Sequence, residues 1–196
     1  MSQDVYQAIR ELLERMGIPY DEIEHPPVGS CEESLAYRGQ AGWDGASSKC
    51  ILLKAKGKYY LLVTTAEKEI KARLFKKEFG TKDIRFASRE ELMEVTGCDP
   101  GSVPPFGHRD PALPFYVDED ILRAGHFMFN PAVPTKSFRV ATGDLRRVYA
   151  AVPNPVSTFG EDEDEHDTGD EDHRRHPQAA SDVSGQGRGI ALGHSA

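Results

Sequence analysis

The chain lacks any apolar run near the roughly 20 residues a bilayer crossing takes, which excludes a helical membrane span. Its first ten residues, MSQDVYQAIR, hold no basic segment leading into an apolar stretch, so a soluble, cytoplasmic protein is expected. Cysteine is scarce. Cys31, Cys50 and Cys98 are odd in number, widely spaced and without a C-x-x-C pair, which points to reduced structural thiols over zinc or dithiol chemistry. Neither Gly-x-Ser-x-Gly nor His-Glu-x-x-His occurs, so a nucleophile-elbow esterase and a zinc hydrolase both lose their usual signatures.

What is present suits one domain of ordinary size: 196 residues, 38% hydrophobic and 29% charged. The net charge of −8 is unevenly spread. Residues 1–152 carry 21 basic and 22 acidic side chains, whereas residues 153–196 carry 3 and 10. That last stretch is acidic, then rich in Ser, Gly and Ala, with too few large apolar residues to offset its ordering entropy, and is expected to be a disordered tail. Its histidines (His166, His173, His176) lie among acids and fit incidental weak metal binding better than an ordered site, and its Gly-x-Gly-x-Gly at 185–189 follows no strand, opens no helix and fits low complexity better than a nucleotide site.

Val5, Ile9, Leu12, Leu13 and Met16 share one helical face, and Gly17 stops the helix. A short strand is expected from Tyr20 to Glu24, and Ser30 with Glu33 has capping-box spacing for a short helix at 32–37. Cys50–Leu53 and Tyr59–Val63 read as a β-hairpin about Gly57. Thr64 with Glu67 repeats the capping spacing, so a helix burying Ile70, Leu74 and Phe79 is expected to follow. Further strands are expected at 84–87, 115–117, 127–129 and 138–141, and helices after Ser88 and over 144–151. The mixture defines a mixed α/β (α+β) class with a central sheet and flanking helices.

Two features carry candidate chemistry. Between Lys49 and Arg89 lie 12 basic and 4 acidic residues, a surface suited to a polyanion such as RNA; a solvated helix face is the plainer alternative. Lys54, Lys56, Lys71, Lys76 and Lys77 are its candidate nucleic-acid contacts, and Lys49, heading an apolar strand, could project into a cleft or end in water. Residues 99–114 hold five prolines and two glycines, which present fixed main-chain groups to a small polar ligand or serve as a rigid connector. His108 and His126 flank this stretch and could act as acid or base, though surface positions are the readier expectation.

Lys49-Cys-Ile-Leu-Leu, Phe86-Ala-Ser with Glu90-Glu-Leu, and above all Gly101-Ser-Val-Pro-Pro-Phe-Gly107 resemble the YbaK/ProX aminoacyl-tRNA editing domains, relatives of the editing insertion of bacterial prolyl-tRNA synthetase. His25-Pro26-Pro27-Val28 is similar to the start of freestanding ProX-type members, and the likeness spans about residues 5–150. The resemblance implies a cofactor-free hydrolase that deacylates mischarged tRNA in trans, with aminoacyl-tRNA as partner, prolyl-tRNA synthetase as a further partner, and no DNA or membrane. It implies that Lys49 holds the phosphate beside the terminal adenosine. It also implies that Gly101 and Pro105 belong to the loop orienting the aminoacyl group, and that a water and a ribose hydroxyl do the proton work. Ser102, Val103, Phe106 and Gly107 come with that loop, and His25, Pro26, Pro27, Val28, Ser30 and Asn130 border the amino-acid pocket. Asn130 stands where those relatives have histidine, and Gly29-Ser30 where they have Phe-Thr, so the amino acid removed is open among small ones, with alanine on proline-specific tRNA first. The alternative is a non-catalytic module of the same fold that binds tRNA or a synthetase.

Overall fold

A computed structural model describes residues 2–160. Helix α1 (Ser2–Arg15) buries Val5, Tyr6, Ile9 and Leu13 as one stripe, with Tyr6 against Phe138 at 6.0 Å between ring centres. Each of the fully buried Ile9 and Leu13 contributes about 1.5–3 kcal/mol. Strand β1 (Asp21–Glu24) follows, then α2 (Cys31–Gln40), β2 (Ala46–Ala55), β3 (Lys58–Thr65), β4 (Ile84–Phe86) and α3 (Arg89–Thr96). Strands β5 (Phe115–Asp118), β6 (His126–Phe129) and β7 (Lys136–Ala141), helix α4 (Thr142–Ala151) and β8 (Val156–Phe159) complete the described chain. The capping spacings at Ser30 and Ser88 are both used: Ser30 accepts from the Glu33 amide and Ser88 from the Glu91 amide.

The strands form one mixed sheet in the order β1-β7-β6-β2-β3-β5-β8. Lys56 and Gly57 join β2 to β3 with φ of +49° and +75°, the left-handed pair of a tight hairpin turn. One edge of β2 is shared: Ala46 and Ser47 pair with β6, and Leu53–Ala55 pair with β4. Among the described residues Ser48–Ile51 have no strand partner on that edge, the Leu52 carbonyl already taking the Ala87 amide at 2.8 Å, and the sheet opens there. The main core lies where α1 and α4 cover one face of the sheet, around Phe106, Phe115, Phe127, Phe129 and Phe138.

Two expectations need correction. Thr64 does not cap a helix; it and Thr65 prolong β3, and its hydroxyl donates to buried Asp118 at 2.6 Å. A single 3-10 turn (Ala72–Phe75) replaces the expected helix, and Phe75 and Phe79 pack on Phe159 and Tyr60 at 5.2 and 4.4 Å. The second concerns the start of the tail. Residues just past Pro153 are ordered parts of the domain: β8 lies parallel to β5, and the Asn154 amide donates to the Asp110 and Leu113 carbonyls at 2.8 and 2.9 Å. The acidic run from 161, its histidines and its glycine repeat lie outside the described residues.

Candidate active site

The opening in the β2 edge is a cavity of about 50 Å³ lined by Cys31, Ser48, Cys50, Gly101, Val103 and Asn130. Four pieces of chain meet there: the start of α2, the unpaired stretch of β2, the 97–108 loop and the end of β6. Alternation along β2 puts Ser48 and Cys50 on the cavity side. The Ser48 hydroxyl makes no hydrogen bond among the described residues, and the Cys31 thiol donates weakly to the Ser48 carbonyl at 3.8 Å. Burial pushes the Cys31 thiol up and the Cys50 thiol well up, so neither is a thiolate near neutral pH.

Gly101 joins two predicted segments. Its φ is +85°, and a Cβ built there would lie 2.8 Å from the Gly29 carbonyl oxygen. Only glycine allows the loop to lie this close to the 25–30 segment. Behind it the loop is fastened: buried Ser102 donates to the Asp99 carbonyl at 3.0 Å, and Tyr149 donates to the Pro105 carbonyl at 3.3 Å. Phe106 is fully buried 5.2 Å from the Phe129 ring, and Gly107 has φ +85° with no room for a Cβ beside Ile9. His108 is buried rather than at the surface, and its Nε2 bonds the Pro104 carbonyl at 2.8 Å. His126 is half-buried, 3.7 Å from Asp44.

The 25–30 segment is tied to the chain after β6, through the His25 amide to the Thr135 carbonyl and the Val28 amide to the Pro134 carbonyl. Val28 is buried; Pro26 and Pro27 are exposed. His25 stacks on Tyr37 at 5.2 Å, with Nδ1 on the Pro26 carbonyl and Nε2 on the Ser137 hydroxyl. Beneath the cavity, Arg38 donates to Ser137, Ser47 and Asn130, and Ser34 also donates to Asn130.

Lys49 lies between Ser48 and Cys50 but on the opposite face of β2, where its ammonium donates to the Lys68 carbonyl. Lys68 is itself anchored on Asp118 and Asp120 at 3.1 and 2.8 Å. The cavity lining thus unites Gly101, Val103 and Asn130, and Lys49 is one residue removed from it. Among the candidate tRNA contacts, Lys54 is engaged by Glu91 and Tyr59 and Lys71 stands 3.4 Å from Glu69, while Lys56, Lys76 and Lys77 are exposed without an ion pair among the described residues. Cys31, Ser48 and Cys50 were not singled out as lining; alternation about Lys49 is the signal that places two of them. Arg38 carries no such signal, since one arginine in a ten-residue helix reads as a surface residue. Among the described residues no cluster of three or more His, Cys, Asp or Glu could hold a metal ion, and no helix is long and apolar enough to cross a membrane.

The fold and site define a mixed α/β scaffold with a small polar cavity walled by a split strand edge and a glycine–proline loop. The family model described as the aminoacyl-tRNA editing domain matches residues 25–148, and the chain belongs to that family. It is 29% identical over 148 residues to the multifunctional Ser/Thr-tRNA deacylase ProXp-y of Escherichia coli, covering 73% of this chain and 87% of that one. The prolyl-tRNA editing protein ProX of Acetoanaerobium sticklandii is 31% identical over 108 residues, 55% of this chain and 65% of that one. The proline–tRNA ligase of Bacillus licheniformis is 28% identical over 68% of this chain but only 25% of its own length. A solved structure of a candidate trans-editing enzyme for prolyl tRNA synthetase shares the fold, with a TM-score of 0.63 at 24% identity over 81% of this chain and 98% of that one.

Proposed function

We propose that the protein hydrolyses the ester of aminoacyl-tRNA in trans, with the acyl group seated in the Ser48–Gly101–Asn130 cavity. The observation that carries this is the meeting of the Gly101 loop with the open edge of β2 around a hollow sized for a small side chain. Water attacks the ester carbonyl carbon, the bond to the ribose oxygen breaks, and the amino acid leaves as its carboxylate while the ribose regains its hydroxyl. The raised thiols of Cys31 and Cys50 favour water over a thiolate as nucleophile. An activated ester needs mainly positioning and oriented dipoles, which a fastened loop supplies.

Lys49 is assigned the phosphate beside the terminal adenosine. The Lys68 carbonyl that now holds its ammonium is uncharged, and a phosphate competes with it on charge. The exposed Lys56, Lys76 and Lys77 meet the RNA backbone further out, and a synthetase that loads the same tRNA is the fitting protein partner. Small amino acids are the substrates, alanine on proline-specific tRNA among them. Incubation with a panel of tRNAs carrying different amino acids, followed by measurement of ester loss, tests this. The wild type clears one or more small aminoacyl groups, and Lys49→Ala, folded by circular dichroism, loses at least about 10²-fold in rate; full activity in that variant removes Lys49 from the mechanism.

A further inference from the structure

Arg38 is 1% exposed, and no carboxylate pairs with it among the described residues. An isolated buried cation is costly, so its retention calls for a use. Burial pulls its pKa only to about 10, and it stays charged at neutral pH. Its three bonds go to Ser137 Oγ at 3.0 Å, Ser47 Oγ at 3.0 Å and Asn130 Oδ1 at 2.7 Å.

The hydrogen-bonding capacity of Asn130 follows by counting. Its Oδ1 accepts from Arg38 at 2.7 Å and faces the Ser34 hydroxyl at 3.0 Å, whose one proton it shares with the Ser30 carbonyl at 3.2 Å. Its Nδ2 gives one hydrogen to the Lys136 carbonyl at 3.1 Å. The opposite amide orientation would set the Arg38 guanidinium against the NH₂ and the amide oxygen against the Lys136 carbonyl, so the orientation is fixed. One N–H remains, on a residue that is 5% exposed and lines the cavity. A cationic donor on the amide oxygen polarises the amide and strengthens that N–H.

We propose that Arg38 and Ser34 are positioning residues that lock Asn130 with its last N–H as a donor to an oxygen of the bound aminoacyl group. This rests on the cavity being the acyl site. Two oxygens have the required chemistry: the ester carbonyl, which gains negative charge as water attacks, and a hydroxyl on the acyl side chain.

The test uses the full chain with alanyl- and seryl-tRNA as probes. Asn130→Asp keeps the shape and removes the N–H; it gives Arg38 a carboxylate partner but loses the bond to the Lys136 carbonyl, so its fold is checked by circular dichroism and its thermal midpoint. It deacylates at least about tenfold more slowly. An equal loss on both substrates assigns the N–H to the ester carbonyl, and a loss confined to seryl-tRNA assigns it to the side-chain hydroxyl. Ser34→Ala gives a smaller loss with the same substrate pattern. Arg38→Lys slows kcat alone, but adds nothing when combined with Asn130→Asp, because it acts through that amide. A folded Asn130→Asp at wild-type rates on both probes, or multiplying losses in the double variant, overturns the proposal while the editing function stands. A wild type inactive on every acylated tRNA overturns the editing function itself, and this proposal with it.

Discussion

At the residue scale, Gly101 holds the site together. Its backbone lies in the left-handed region and presses on Gly29, so Gly101→Ala combines conformational strain with a contact at 2.8 Å. Such a substitution costs roughly 1–3 kcal/mol, and thermal unfolding should register it as a lowered midpoint. The loss of editing activity should exceed what the unfolded fraction explains, because the loop withdraws from the cavity. An unchanged midpoint would mean that the contact relaxes freely.

Residue legibility followed backbone constraint. Glycines and prolines at 101–107 restrict the chain wherever it sits, and so they were readable in isolation. Arg38, Ser47 and Ser137 matter because of what the fold brings to them, from positions 9 to 99 residues apart. Nothing local distinguishes them.

At the scale of elements, the 97–108 loop is a rigid wall because its carbonyls are bonded by groups from inside the domain. His108 is the one that titrates. It bonds Pro104 through Nε2, its Nδ1 has no partner among the described residues, and burial lowers its pKa from 6.5 to about 4. The unfolded chain therefore binds a proton at higher pH than the folded one. The contribution is fully present above about pH 6.5 and is lost as pH falls toward 4, reaching about 2 kcal/mol by pH 5 and about 3 kcal/mol by pH 4. Denaturation midpoints measured from pH 7 to pH 4 should fall in the wild type and fall less in His108→Gln, which cannot take up that proton. Parallel curves would place the acid sensitivity elsewhere.

Most elements were legible because caps and apolar spacing agree with burial, as in α1, α2, the β2–β3 hairpin and α3. Residues 64–80 misled because a capping pattern is local, whereas the Thr64 hydroxyl is claimed by Asp118 across the sheet. Strand β8 was hidden for a similar reason. Four residues with one β-branched apolar side chain and two prolines just before them look like linker, and only pairing with β5 orders them.

At the scale of the molecule, the charge map divides into bound and free parts. Of the basic residues between 49 and 89, Lys54, Lys68, Lys71, Arg85 and Arg89 face carboxylates, while Lys56, Lys58, Arg73, Lys76, Lys77 and Lys82 are exposed without an ion pair among the described residues. The free group lies on the hairpin turn and on the segment around the 3-10 turn, the face we propose for RNA. Replacing Lys71, Lys76 and Lys77 together by alanine should weaken tRNA binding and reduce the slope of log affinity against log salt by about 2, since each released counterion contributes about 0.7–0.9 and Lys71 is partly held by Glu69. An unaltered slope would move the RNA to another face.

The central claim is that the acyl group of a tRNA terminus enters the hollow between β2 and the Gly101 loop. A crystal structure with a non-hydrolysable 3′-aminoacylamino-adenosine tests it most directly. The acyl side chain is expected against Ser48, Cys50, Gly101 and Asn130, with the adenosine leading out toward Lys49. An analogue bound elsewhere, with that hollow filled only by water, would contradict the account.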